Sequence, residues 1–98
     1  MLYMLICKDR AEGGFALRME TRPDHLAYLE SLGPKLRVGG ALLSEDAKEP
    51  RGSVIIVDVG SLDEAKAIAA ADPYAKAGVF ADVEIHPFRQ AMGAAALA

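Results

Sequence analysis

Four consecutive β-branched residues, Val54-Ile55-Ile56-Val57, leave a strand with no face that suits water. Such a strand belongs in the middle of a sheet with cover on both sides. The opening run Leu2-Tyr3-Met4-Leu5-Ile6-Cys7 has the same character and meets Lys8-Asp9-Arg10 at its end. A helix start and a weaker strand follow each run, so the chain reads βαβ twice.

The helix signals come from chain chemistry. Thr21-Arg22-Pro23-Asp24 combines a capping residue, a first-turn proline and an acid at the positive helix end, and predicts a helix from there to about Leu36. On that helix Leu29, Leu32 and Leu36 form one stripe, and His25 falls on the same stripe in the first turn. Residues 8–20, with Gly13-Gly14, then become an unusually long connection. Gly39-Gly40 reads as a break before a short strand at Ala41-Leu42-Leu43. Ser61-Leu62-Asp63-Glu64 has the form of a capping box and predicts a second helix, with Leu62, Ala65, Ile68 and Ala69 inward. That helix must stop near Asp72, because Pro73 disfavours helical geometry in the residue before it. Val79, Ala81, Val83 and Ile85 alternate with other residues as the last strand requires. An Ala-rich tail occupies 89–98.

At 98 residues, the chain holds one hydrophobic core and is read as a single domain, 1–98. The expected fold is α+β: a ferredoxin-like βαββαβ sandwich with an antiparallel sheet in strand order 4-1-3-2 and both helices on one face. Topology then brings the start of the first helix and the end of the second to one sheet edge. His25, Asp72, the 8–20 connection and the turn between the second and third strands meet there. The opposite face keeps apolar residues of both central strands and needs a cover, for which a second copy of the chain is the candidate. This is the expectation of a homodimer.

Composition removes several functions. The net charge is -3 and the basic residues are scattered, which excludes a nucleic-acid or anionic-membrane footprint. The apolar opening is too short for a signal core or a membrane span. A lone cysteine, Cys7, forms no disulfide within the chain, and a cytoplasmic setting is expected. No phosphate loop or flavin fingerprint occurs, and His25, Asp72 and His86 lack metal-ligand spacing, so neither cofactor nor metal is expected.

What remains is a small-molecule site. His25 reads either as a general acid/base oriented by Asp72 or as a core histidine satisfied by a backbone carbonyl. Asp72 is either that orienter or a turn residue before Pro73. Tyr74 offers a phenol to the pocket or packs. Arg22 holds a substrate carboxylate or is a solvated charge. Cys7 reads as a small buried hydrophobe rather than a nucleophile.

Arg22-Pro23-Asp24-His25-Leu26, Ala71-Asp72-Pro73-Tyr74 and Ala77-Gly78-Val79-Phe80 occur in that order, between an opening Leu2-Tyr3 and a closing His86-Pro87-Phe88. Together they resemble the YCII-related (YciI-like) family over residues 1 to about 89. The resemblance implies a ferredoxin-like dimer of the α/β-barrel kind and a His and Asp pair at the site, carried onto His25 and Asp72. It implies relatives that act as dehydrochlorinases or isomerase-like enzymes on ring-cleavage compounds. His86 stands where the family commonly has lysine. Two functions are therefore carried forward. One is a cofactor-free acid/base lyase or isomerase; the other is a non-catalytic dimeric module that binds a metabolite in the same pocket.

Overall fold

The computed structural model describes residues 1–98. Its elements are β1 (Leu2–Asp9), α1 (Gly14–Ser31), a 3₁₀ turn (Gly33–Lys35), β2 (Leu36–Leu43), β3 (Pro50–Asp58), α2 (Leu62–Ala71), the single-turn α3 (Pro73–Lys76) and β4 (Phe80–Phe88). The four strands form one antiparallel sheet in the order β2-β3-β1-β4, the expected 4-1-3-2 arrangement counted from the other side. The two apolar runs are indeed its central strands.

Strand alternation divides the residues between the faces. Tyr3, Leu5 and Cys7 of β1, with Ile55 and Val57 of β3, join Leu29 of α1 and Ala65, Ile68 and Ala69 of α2 in one core. The hydroxyl of Tyr28 donates to the carbonyl of Ile68 at 2.9 Å and ties α1 to α2. On the opposite face, Met4, Ile6 and Val54 remain half-buried with no helix over them. The C-terminal segment reaches back to the rim of that face, where Met1, Leu2, Phe88 and Leu97 surround one hollow.

The first helix differs from expectation. It starts at Gly14, so Pro23 lies inside it, His25 is well past the first turn, and residues 14–20 are helix rather than connection. The Gly13-Gly14 pair opens the helix because Gly13 takes the left-handed conformation at the N-cap, φ 75°. Pro23 is tolerated because it is exposed, so water can satisfy the carbonyl that its missing N–H leaves free. The inner stripe of α1 consists of Gly14, Arg18, His25 and Leu29. Half of it is polar, so hydrophobic periodicity cannot detect it.

The second strand is likewise longer than Ala41–Leu43, with Gly39 and Gly40 inside it. Its ladder to β3 tolerates glycine because it carries backbone hydrogen bonds. In α2 the cap forms as expected, with Glu64 N donating to Ser61 Oγ at 3.2 Å. The Glu64 carboxylate reaches one residue further back, to Gly60 N at 2.8 Å. Leu62 is exposed rather than inward, since it precedes the point where α2 settles on the sheet.

Candidate active site

β1 presents Tyr3, Leu5, Cys7 and then Asp9 toward the helices, while β3 presents Ser53 beside Cys7. A carboxylate and a hydroxyl at these positions would be costly without partners. Arg18 from the polar stripe of α1 supplies them. Its Nε and Nη2 donate to the two Asp9 oxygens at 2.6 and 2.9 Å, and Nη2 also donates to Ser53 Oγ at 2.9 Å. The ion pair is almost sealed, with side-chain exposures of 4% and 5%. Burial works against the guanidinium charge, but the Asp9 hydrogen bond and charge outweigh it and hold Arg18 above its ordinary pKa.

The other half of the site comes from the junction of α2 and α3. Asp72 ends α2 and caps α3, accepting the Tyr74 backbone N–H on Oδ1 at 2.9 Å. The same oxygen lies 2.8 Å from His25 Nδ1. Because Oδ1 acts as an acceptor for Tyr74, His25 Nδ1 is assigned the hydrogen and donates to it. The Tyr74 ring stacks on the imidazole at 3.8 Å and 14°, and the Arg18 guanidinium carbon lies 4.4 Å from the centre of the same ring. Histidine, tyrosine and arginine thus form one packed assembly.

His25, Asp72, Arg18 and Tyr74 are all buried. Yet no buried side-chain nitrogen or oxygen lacks a partner, and His25 Nε2 makes no hydrogen bond within the chain. Nε2 is therefore open to the cleft between α1 and β2, a space of about 200 Å³. Arg18, Arg22, His25 and Tyr74 line it, with Gly39, Gly40 and Ala41 of β2 among the other walls. That is below the ~300–1,000 Å³ of pockets for drug-sized ligands and suits one substituted ring. A larger surface hollow, about 740 Å³, lies at the β2–β3 turn, but exposed side chains such as Glu45, Asp46 and Lys48 line it and none of the buried network reaches it.

Burial raises the Tyr74 phenol pKa, and the Arg18 and Arg22 charges hold that rise back. The phenol is a proton donor at neutral pH. Burial, followed by the nearby Asp72 charge, pushes the Cys7 thiol up to about 12. Cys7 is thus protonated and inert, a packing residue as its sequence context suggested.

The structure brings His25, Asp72 and Tyr74 into contact, and sets the exposed Arg22 at the rim of the same cleft without an ion-pair partner. No group of three His, Cys, Asp or Glu side chains is placed to hold a metal ion. Arg18, Asp9 and Ser53 were not anticipated. The signal for Arg18 was present as a cation on the stripe that also carries His25 and Leu29, but it is visible only once the helix is extended back to Gly14.

These features define a class: a ferredoxin-like α+β domain whose helix-covered face holds a sealed carboxylate–imidazole pair beside a small cleft. Residues 1–89 match the YCII-related domain, and the chain belongs to that family. It is 36% identical over 97 residues to Protein YciI of Escherichia coli O6:H1, covering 92% of this chain and 98% of that protein. A Haemophilus influenzae protein is 34% identical with the same coverage. Among solved structures, the chain resembles 5-chloro-2-hydroxyhydroquinone dehydrochlorinase (TftG) from Burkholderia phenoliruptrix AC1100 in complex with 2,5-dihydroxybenzoquinone. That match has TM-score 0.82 and 35% identity, and covers 91% of this chain and 94% of the other. Protein Atu4242 from Agrobacterium tumefaciens, at 21% identity and TM-score 0.54, shares the fold. No helix of the chain is long and apolar enough to cross a membrane.

Proposed function

We propose that the protein is a cofactor-free acid/base enzyme of the lyase or isomerase type acting on a small hydroxylated ring, with His25 as proton acceptor and Asp72 as its orienter. The observation that carries this reading is the sealed 2.8 Å contact from His25 Nδ1 to Asp72, which leaves Nε2 open to the cleft. Asp72 fixes the tautomer and stabilises the imidazolium that forms when Nε2 takes a proton. Tyr74, kept protonated by its burial, donates to the oxygen on which negative charge develops, and Arg22 at the rim meets a substrate anion.

The chemistry balances without a redox partner. His25 removes a proton from the ring or its hydroxyl, and the electron pair moves into the conjugated system. Either the proton returns to the chlorine-bearing carbon, which becomes tetrahedral, and loss of a second hydroxyl proton then expels chloride with the electrons of the C–Cl bond, for net loss of HCl, or it returns at another atom as an isomerisation. The dehydrochlorinase that this chain resembles supports the first outcome.

Chloride release from 5-chloro-2-hydroxyhydroquinone is the first assay. His25→Gln, with its fold checked by circular dichroism, should lose about 10²–10⁴-fold of the turnover. Full turnover in that variant would remove His25 from the chemistry. A ring compound that stabilises the protein and is recovered unchanged would instead favour the metabolite-binding module.

We further propose that the chain acts as one domain in the cytoplasm and pairs with a second copy through the open sheet face. The half-buried Met4, Ile6 and Val54 support that pairing, since exposed apolar strips of central strands call for cover. Sedimentation should give a dimer that Ile6→Lys converts to a monomer.

A further inference from the structure

We propose that Arg18, locked by Asp9 and Ser53, is the specificity-determining residue of the cleft and selects planar oxyanions of one ring's size, such as phenolates, enolates and hydroxyquinonates. This rests on the reading above only in placing the ligand in the same cleft. It does not require that the ligand be turned over.

Nε and Nη2 of Arg18 are spent on Asp9 and Ser53. Nη1 is hydrogen-bonded to neither Asp9 nor Ser53 and, since no buried side-chain nitrogen lacks a partner, it keeps accessible surface; Arg18 lines the cleft beside the Tyr74 phenol. Arg18 is only 4% exposed, so this is a buried cation with one accessible edge beside a small cavity.

Charge points the same way. The chain carries a net charge of -3, yet the cleft is lined by Arg18 and Arg22 and by no acid. Asp9 neutralises Arg18 from behind, so the pair can stay folded when the cleft is empty, while its accessible edge is left for the ligand. Shape agrees, since Gly39 and Gly40 offer bare main chain along the β2 wall of the cleft. With the stacked Tyr74 and His25 rings also at the cleft, the space favours a flat guest. An oxyanion on that guest can take hydrogen bonds from Arg18 Nη1 and the protonated Tyr74 phenol, both cleft-lining groups. Asp9 is a positioning residue, holding the guanidinium from outside the cleft, while Ser53 holds Nη2 and also lines the cleft.

The test is binding, measured by calorimetry on the full chain. The probes are 2,5-dihydroxybenzoquinone, which is anionic at neutral pH, and 2,5-dimethoxybenzoquinone, a neutral compound with the same ring. Wild type should prefer the anion by about 10–100-fold, the value of one or two charge-assisted hydrogen bonds. Arg18→Lys should erase most of that preference, the affinity for the anion falling more than that for the neutral compound, because a lysine cannot span Asp9, Ser53 and the cleft at once. If Arg18→Lys does not fold, the double variant Asp9→Asn with Arg18→Gln removes both buried charges together and should lose the same preference. Asp9→Asn alone should lower the preference for the anion more than the affinity for the neutral ring, which mere loosening of the fold would not do. Equal binding of the two probes by wild type, failure of wild type to bind either, or an unchanged preference in the Arg18 variants would each overturn the proposal. His25→Gln should keep the preference, so a failure of acid/base chemistry would leave this result standing and the two readings separable.

Discussion

Two histidine–carboxylate pairs occur in this small chain, and they differ in almost everything except their chemistry. His25 meets Asp72 at 2.8 Å with side-chain exposures of 8% and 3%, whereas His86 meets Glu84 at 3.2 Å with exposures of 57% and 44%. The first pair joins α1 to the α2–α3 junction from distant parts of the sequence. The second spans neighbours on one face of β4. In water, an exposed pair gains ~0–1 kcal/mol and holds no fixed geometry. Enclosure, a second donor on the same oxygen and a stacked ring hold the buried pair in one orientation. A histidine beside a carboxylate is therefore not a site by composition; its surroundings decide.

The largest expected effect breaks the comparison at catalysis. His25→Gln and His86→Gln remove chemically identical groups, and only the first should lower chloride release, by about 10²–10⁴-fold. Equal losses would mean that enclosure does not matter and that the two pairs work alike.

Stability should separate the carboxylates next. Asp72→Ala removes both the bond to His25 and the cap on the Tyr74 N–H, at a cost of about 2–4 kcal/mol in urea unfolding. Glu84 lies opposite Ile6 on the face proposed to pair, so at a concentration that leaves the chain monomeric Glu84→Ala should stay within about 0.5 kcal/mol of wild type. A cost for Glu84→Ala near that of Asp72→Ala would show that the exposed pair is held more firmly than its accessibility implies.

The smallest effect uses Cys7 as a reporter. Its thiol is raised from an ordinary 9.0 to about 12, first by burial and then by Asp72. A thiol that keeps its proton longer in the folded chain favours the fold below the unfolded value and surrenders that preference as pH rises through the folded one. Its share of stability should thus fall between about pH 9 and 12 and vanish in Cys7→Ala, as melts across that window would read. Alkylation rates followed against pH should move to lower pH in Asp72→Asn and stay put in Glu84→Gln. No shift in Asp72→Asn would mean that the Asp72 charge does not reach the thiol.

Much of this was legible in the chain. Doubly apolar runs announced the central strands β1 and β3, Ser61 and Glu64 announced α2, and Pro73 marked its end. The order of elements then fixed the sheet and carried His25 toward Asp72, because topology follows from connectivity and handedness once strands and helices are known. The start of α1 was not legible. A helix whose buried stripe is Gly14, Arg18, His25 and Leu29 has no hydrophobic period, so Thr21 and Pro23 supplied a false beginning. The same misplacement hid the Asp9–Arg18–Ser53 cluster.

By itself, then, the sequence determined the order and kind of the elements, since side-chain shape and solubility act locally and need no partner. It also named His25, Asp72, Arg22 and Tyr74 as candidates. Only the tertiary structure decided that His25 sits within a helix, that its Nδ1 is sealed against Asp72 while Nε2 stays open, and that Arg18 lines the same cleft. Those facts depend on which buried charges find each other across the fold, and the strength of such contacts is set by a water-excluding environment that no stretch of chain possesses alone.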